Sequence, residues 1–121
     1  MCRVLILDDD KYSAETVKLI LENSGEASAD VVTTAEDAML KVTNKNQVGK
    51  PYEVFIVDQR LGVGKDGIDV FRDLKAMSPD SDGIIFTGYE DKENGMRAYE
   101  AGAFRYLSKP FDNSELLFLL K

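Results

Sequence analysis

Aspartates follow two strongly apolar runs, and they are the residues best suited to chemistry in this chain. Residues 4–7 are apolar and are followed at once by the acidic stretch 8–10, while residues 54–57 end in Asp58. Carboxylates at such density repel one another unless they share a cation, and hard divalent ions such as Mg²⁺ prefer oxygen ligands. The pattern therefore indicates an aspartate site that binds a divalent metal.

Two further strand-like runs end in polar residues that can join this site. Residues 83–87 end in Thr87, and residues 104–108 are followed by Lys109. Parallel strands place their carboxyl ends at one edge of a sheet, so the acids, the hydroxyl and the ammonium are expected to meet in one crevice. This set favours phosphoryl transfer with Asp58 as the nucleophile.

Each of these residues also has a simpler interpretation when it is taken alone. An aspartate after a strand is often a turn residue, the acidic stretch 8–10 can be a solvated loop that caps the first helix, and a lysine before Pro110 is usually in a turn. Thr87 can equally be an ordinary β-branched residue at a strand end. Only the combination of all the strand ends favours a site over these alternatives.

Five strand-helix units position the polar residues. Continuous apolar runs are typical of strands buried on both faces, and helical periodicity lies between them, ended by Gly25 after the first strand and broken at residues 78–80. Val31 and Val32 indicate a weak second strand, and residues 44–50 are predicted to be a loop. The alternation predicts an α/β fold, a doubly wound five-stranded parallel sheet with helices on both faces.

Composition limits the classes of function that remain. The 121 residues predict one domain, residues 1–121, and Cys2 is the only cysteine. Histidine is absent, which excludes serine-histidine catalysis and the usual zinc ligands. A net charge of −7 argues against nucleic-acid or anionic-membrane binding, and the chain is predicted to be cytoplasmic. The last helix, from Asp112, is short, as expected of a chain cut from a longer regulator or packed on a partner.

Taken together, these residues resemble the receiver domain of two-component response regulators, the CheY-like family. The resemblance covers essentially the whole chain and rests on the acidic pair Asp8 and Asp9, on Asp58, on Thr87 and on Lys109 before a proline. It implies the flavodoxin-like strand order 2-1-3-4-5. It also implies that Asp58 receives a phosphoryl group from the phosphohistidine of a sensor histidine kinase or phosphotransfer protein.

The resemblance further assigns the metal ligands. Asp9 would hold Mg²⁺ or Mn²⁺ directly, Asp8 would support it, Asp58 would be a ligand, and the backbone carbonyl of Arg60 would complete the protein's share. Lys109 would pair with the phosphoryl oxygens. On this basis the domain assists its own phosphorylation and dephosphorylation but is not otherwise an enzyme.

The family resemblance also implies a switch. Thr87 and Tyr106 would move on phosphorylation and reshape the surface formed by the fourth helix, fifth strand and fifth helix. That surface would then control a C-terminal output domain, a partner protein or a homodimer. The cognate kinase, the stimulus, the output and the phosphoryl lifetime cannot be predicted from these residues.

The loop after Asp58 departs from the family pattern. The family has a proline four residues after its phosphoacceptor and a glycine eight after, whereas Gly62 takes the first place here and Gly67 comes nine after Asp58. The loop is thus one residue longer and lacks proline. This difference bears on loop conformation and partner docking more than on the chemistry.

Two other functions are compatible with parts of the sequence. A haloacid-dehalogenase-like phosphatase would use the D-x-D of Asp8 and Asp10, but its later acidic pair is missing and Tyr12 stands where a small β-branched residue is expected. A receiver-like module that never takes phosphate would usually lack the aspartate or the lysine, and both are present. The G-x-G-x-x-G match at residues 62–67 follows the third strand and lacks a second mononucleotide-binding half, so it is not a nucleotide motif.

Overall fold

A computed structural model describes residues 2–61, 66–87, 92–103, 105–108 and 111–120, with the main chain alone at 92–95 and 108. Strands and helices alternate along the whole chain, as the apolar pattern predicts. In chain order the elements are β1 (Cys2–Leu7), α1 (Lys11–Asn23), β2 (Ala27–Val32), α2 (Ala35–Gln47), β3 (Val54–Asp58), α3 (Gly67–Met77), β4 (Asp82–Thr87), α4 (Lys92–Glu100), β5 (Arg105–Ser108) and α5 (Asn113–Leu119).

The strands form one parallel sheet in the order β2-β1-β3-β4-β5. The chain therefore reverses its direction of winding after β2, which puts β1 and β3 side by side in the middle of the sheet. The predicted fold class and strand order are both confirmed. In such sheets the crevice beyond the carboxyl ends of the central strands is the usual place for a ligand.

Each face of the sheet has its own buried cluster of apolar side chains. The first lies with α2, α3 and α4 and includes Val57, Phe71 and Ile85, and the second lies with α1 and α5 and includes Ile56 and Leu116. Successive strand residues point to opposite faces, so strands covered on both sides must be apolar at every position. This requirement explains the continuous apolar runs in the sequence.

Capping residues mark the start of α2 and the end of α1. Thr34 Oγ1 accepts a hydrogen bond from the Asp37 N–H at 3.1 Å and caps the start of α2. Gly25 has a φ of 76° just after α1, a conformation that glycine adopts at low cost. Among the described residues no helix combines the length and apolar character needed to cross a membrane.

Two elements are longer than the sequence predicts. Strand β2 begins at Ala27 instead of Val31, because Ala27 pairs with Cys2 and extends the ladder along β1. The prediction of a loop from residue 44 is wrong up to Gln47, since α2 continues to that residue. The Asn46 side-chain amide donates to the Met77 carbonyl at 3.1 Å and ties this polar end of α2 to the end of α3.

Candidate functional site

Asp8 and Asp58 come together at the carboxyl ends of the two central strands. Leu7 of β1 pairs with Val57 of β3, so the next residue of each segment, Asp8 and Asp58, stand side by side. Asp8 is only 5% exposed, whereas Asp58 is half-buried. The strand order thus places two of the predicted site residues at the central edge where ligands bind in open α/β sheets.

The three acids after β1 have different surroundings. Asp8 Oδ1 accepts a hydrogen bond from the Asp10 N–H at 2.9 Å, which fixes the turn. Asp10 caps α1, since its Oδ1 accepts from the Tyr12 N–H at 3.0 Å and its Oδ2 accepts from the Ser13 hydroxyl at 2.9 Å. Asp9 is exposed. Asp10 is exposed as well, but both of its carboxylate oxygens are used at the start of α1, so Asp9 is the exposed acid without a capping role.

The segment that leaves β3 is held closely against the strand end. The Arg60 N–H donates to Asp58 Oδ1 at 2.9 Å, which orients that carboxylate. The Gln59 carbonyl accepts a hydrogen bond from the Gly67 N–H at 2.6 Å, and Arg60 and Asp66 form an isolated antiparallel bridge. The two ends of the loop are thereby joined at its base, directly beside Asp58.

Asp66, at the closing end of this loop, uses both carboxylate oxygens. Its Oδ1 accepts from the Ile68 N–H at 2.8 Å and caps α3, and its Oδ2 accepts from Arg97 Nη1 of α4 at 2.8 Å. The same guanidinium lies 3.6 Å from Asp69 Oδ1. A tertiary ion pair therefore connects α4 to the base of the loop.

Thr87 and Tyr106 lie on one face of the sheet. Ile85 of β4 pairs with Tyr106 of β5, and Thr87 is two residues beyond Ile85, so alternation puts all three side chains on the same side. Thr87 is 5% exposed, and Tyr106 packs against the buried cluster that contains Ala98 of α4. The Tyr106 hydroxyl is buried without a hydrogen-bond partner in the described part of the chain.

The oxygen donors fit a small hard cation. Within the described ranges, no three acidic or thiol side chains are close enough to hold a metal ion by themselves. Mg²⁺, however, is usually bound by one or two carboxylates and keeps several waters. Asp8 and Asp58 at adjacent strand ends, with Asp9 exposed beside them, supply that kind of ligand set.

Most of the site residues predicted from the sequence lie in the described part of the structure, but not all of them. Asp8, Asp9, Asp58 and the main chain of Arg60 gather at the ends of β1 and β3, and Thr87 ends the neighbouring β4. Lys109 lies outside the described residues, as do residues 62–65 of the loop.

The sequence offers a cap on the first helix only as an alternative for the whole stretch 8–10, and it does not single out Asp10 or predict the ion pair between Asp66 and Arg97. An aspartate directly before a helical pattern is a signal that could have identified the Asp10 cap. No local pattern identifies an ion pair between a helix and a loop that lies far from it in the sequence.

Comparisons with protein families agree with this geometry. The family model described as the response regulator receiver domain matches residues 4–121. The transcriptional regulatory protein AruR of Pseudomonas aeruginosa is 34% identical over 117 residues, which are 95% of this chain and 46% of that protein. The DNA-binding transcriptional regulator NtrC of Salmonella typhimurium is 31% identical over 123 residues, 98% of this chain and 24% of that protein. The chain thus spans less than half the length of these relatives.

Solved structures show the same fold. A CheY-like response regulator receiver domain protein from Methanospirillum hungatei has a TM-score of 0.86 at 28% identity, covering 99% of this chain and 90% of that one. A response regulator from Burkholderia pseudomallei has a TM-score of 0.86 at 25% identity, covering 100% of this chain and 67% of that one. The latter structure is described with a phosphorylated aspartic acid and a calcium ion.

Proposed function

Because this chain belongs to the response regulator receiver domain family, we propose that Asp58 is its phosphoacceptor. The observation that carries the proposal is the position of Asp58, half-buried at the carboxyl end of the central strand β3 and beside Asp8. Phosphorylation-operated switching is the general function of the family. Membership of this family leaves the alternative of a haloacid-dehalogenase-like phosphatase without support.

The proposed reaction moves one phosphoryl group between two proteins. A carboxylate oxygen of Asp58 attacks the phosphorus of a phosphohistidine on a kinase or phosphotransfer partner. The new P–O bond makes an acyl phosphate, and the P–N bond breaks to return the imidazole to the partner. The Arg60 N–H, which donates to Asp58 Oδ1, helps to keep the carboxylate oriented for this attack.

We assign the metal ligands to the residues around Asp58. Asp9 and Asp58 would hold Mg²⁺ or Mn²⁺, the carbonyl of Arg60 would be a third protein ligand, and buried Asp8 would support the group. When bound, the ion supplies positive charge that stabilises the phosphoryl oxygens during transfer. Lys109 is proposed to contribute a second positive charge to the same oxygens, and Thr87 a hydroxyl donor.

The switch is proposed to act through Thr87 and Tyr106. Both side chains are on the sheet face that α4 covers. A buried hydroxyl without a partner costs about 1–3 kcal/mol, which offsets part of what the Tyr106 ring gains by packing against the buried cluster on the α4 side. Movement of Thr87 toward a phosphorylated Asp58 would change this balance and alter the surface formed by α4, β5 and α5.

The partners are proposed from the relatives and from this surface. AruR and NtrC are named as transcriptional regulators, and this chain matches less than half of each. We propose that the α4-β5-α5 surface controls an output domain, a separate partner or a homodimer. Exposed apolar side chains on it, Met96 and Tyr99 of α4 and Phe118 of α5, are consistent with such contacts.

Treatment with acetyl phosphate and Mg²⁺ tests the proposal. We expect the intact mass to increase by one phosphoryl group, and Asp58→Asn to abolish the increase. Asp80→Asn, an equivalent change at an exposed position between α3 and β4, should leave it unchanged. An unmodified wild-type mass, with Mg²⁺ binding shown separately, would contradict the proposal and favour a receiver-like interaction module instead.

A further inference from the structure

We propose that Arg97 of α4 is a positioning residue for the metal site, acting through Asp66 on the loop that carries Arg60. This inference rests on the proposed function, because it concerns the same Asp58 site. It assigns to α4 a direct physical connection with the metal-binding loop.

Several contacts hold the metal-side end of the loop: the Gln59 N–H donates to the Phe86 carbonyl of β4 at 2.7 Å, and the Arg60 N–H donates to Asp58 Oδ1 at 2.9 Å. Arg60, whose carbonyl is the proposed ligand, is exposed, and its main chain pairs with Asp66 across the loop base. The bridge makes Asp66 the contact that restrains this segment from the far side of the loop, so the position of the Arg60 carbonyl depends in part on where Asp66 is held. The longer loop has no proline to fix a backbone φ angle, so its conformation depends more on the contacts of Asp66 at its closing end.

Asp66 is held from two directions. The α3 N-terminus binds one carboxylate oxygen through the Ile68 N–H, and Arg97 binds the other at 2.8 Å. The two side chains are 35% and 30% exposed, so this pair is better shielded from solvent than Arg72 with Asp69, at 54% and 60%. Shielded ion pairs are screened less by water and salt.

The ion pair between Arg97 and Asp66 also connects α4 mechanically to the metal site. If α4 shifts when Tyr106 and Thr87 rearrange, Arg97 moves with it and changes the restraint on Asp66. By linkage, an ion bound beside Asp58 and Arg60 would in turn favour the α4 position in which the ion pair is intact. Metal binding and the α4 surface would thus be coupled through one salt bridge.

Arg97→Gln is the decisive variant, measured by the Mg²⁺ dissociation constant in isothermal titration calorimetry. Removing a positive charge by itself should strengthen Mg²⁺ binding through long-range attraction. We expect the opposite, a weakening of at least about threefold, since supporting contacts around metal ligands affect affinity and this one acts one step further out. Arg97→Lys should restore part of the affinity.

Arg72→Gln is the matched control, because it removes the same charge from an arginine that pairs with Asp69. It should leave the dissociation constant unchanged or slightly improved. Asp66→Asn keeps a good helix cap but loses the ion pair, and the double variant with Arg97→Gln should be no weaker than the weaker single variant. Purely additive effects, or unchanged binding in Arg97→Gln, would overturn the inference.

The outcomes separate this inference from the proposed function. If wild-type protein binds Mg²⁺ but does not accept phosphate, the proposed function fails while the calorimetric comparison still decides the role of Arg97. If wild type is phosphorylated and Arg97→Gln has the same dissociation constant, only the inference fails. Should Arg97→Gln not fold, Asp66→Asn and Arg97→Lys provide the same comparison, and unchanged binding in both contradicts it.

Discussion

Gly67 lies so close to the main chain of Asp58 that a β-carbon at Gly67 would stand 1.9 Å from the Asp58 carbonyl oxygen. The Gly67 N–H also donates to the neighbouring Gln59 carbonyl at 2.6 Å. Helix α3 therefore begins in direct contact with the end of β3, and only a residue without a side chain permits this approach. The contact fixes the base of the loop beside the proposed phosphoacceptor.

Gly67→Ala should destabilise the protein although alanine is the better helix former by about 1 kcal/mol. The atom that the new methyl group would meet belongs to the backbone of a central strand, which cannot move aside as a side chain can. We expect the free energy of unfolding in urea to fall by about 2 kcal/mol or more. Gly49→Ala is a useful comparison, because Gly49 has a φ of 73° but open space around it. A smaller loss for Gly67→Ala than for Gly49→Ala would contradict the steric explanation.

Substitutions at Asp9 and Asp10 should affect metal binding and protein stability separately. Asp9→Asn removes an exposed charge, so we expect Mg²⁺ affinity to fall by about tenfold or more with little change in unfolding free energy. Asp10→Ala removes the α1 cap and should cost about 1 kcal/mol of stability with a smaller effect on Mg²⁺. Calorimetry and urea unfolding on both variants measure the two effects. The reverse pattern would assign the metal to Asp10.

Gly83 of β4 is packed against the ring of Phe71, and a β-carbon there would lie 2.2 Å from Cε1 and Cζ of that ring. Gly83→Ala should therefore cost about 1–3 kcal/mol through overpacking. Adding Phe71→Leu frees space, so the double variant should lose less stability than the sum of the two single variants. Additive losses in urea unfolding would show that the two positions do not share this volume.

Much of this fold could be predicted from the sequence because its strands are buried on both faces. Continuous apolar runs indicate such strands, and the caps at Thr34 and Gly25 have local signatures. The early start of β2 has no such signal. Ala27 and Ala29 are small residues that become buried when β2 pairs with β1 and packs against the cluster under α1.

The candidate site was predictable where it depends on strand ends and not where it depends on tertiary contacts. Asp8 and Asp58 follow apolar runs, so their meeting follows from the parallel topology. The Arg97–Asp66 ion pair joins a residue of α4 to the N-cap residue of α3, and no local sequence pattern predicts that these two residues meet. Such contacts are set by packing and are visible only in three dimensions.

Tyr106→Phe should leave the protein as stable or make it more stable, by up to about 1 kcal/mol. The Tyr106 hydroxyl is buried without a partner in the described part of the chain, so its removal relieves a desolvation cost. The ring and its packing on the α4 side of the sheet are kept. Urea unfolding measures the difference. A loss of stability beyond about 0.5 kcal/mol would mean that the hydroxyl does form a bond.

The protein should lose stability in alkaline solution because the folded state holds the proton of Tyr52 more tightly than the unfolded state does. Burial, together with the hydrogen bond to Asp30 at 2.5 Å and the charge of that carboxylate, raises the pKa of Tyr52 above its ordinary value. In the unfolded chain tyrosine loses its proton at about pH 10. Above that pH the folded state binds more protons than the unfolded state. The contribution of Tyr52 to the free energy of unfolding is therefore fully present below that pH and is lost as the pH rises above it.

Tyr52→Phe tests this pH dependence by removing the titrating group while keeping the ring. At neutral pH the variant should lose about 1 kcal/mol with the Asp30 hydrogen bond. Between about pH 9 and pH 11, however, its urea unfolding free energy should fall less steeply than that of the wild type. Tyr12→Phe, at a position that is 83% exposed, should follow the wild-type curve. If Tyr52→Phe keeps the wild-type slope, another group is responsible for the alkaline loss, because the folded protein then gains nothing from holding the Tyr52 proton.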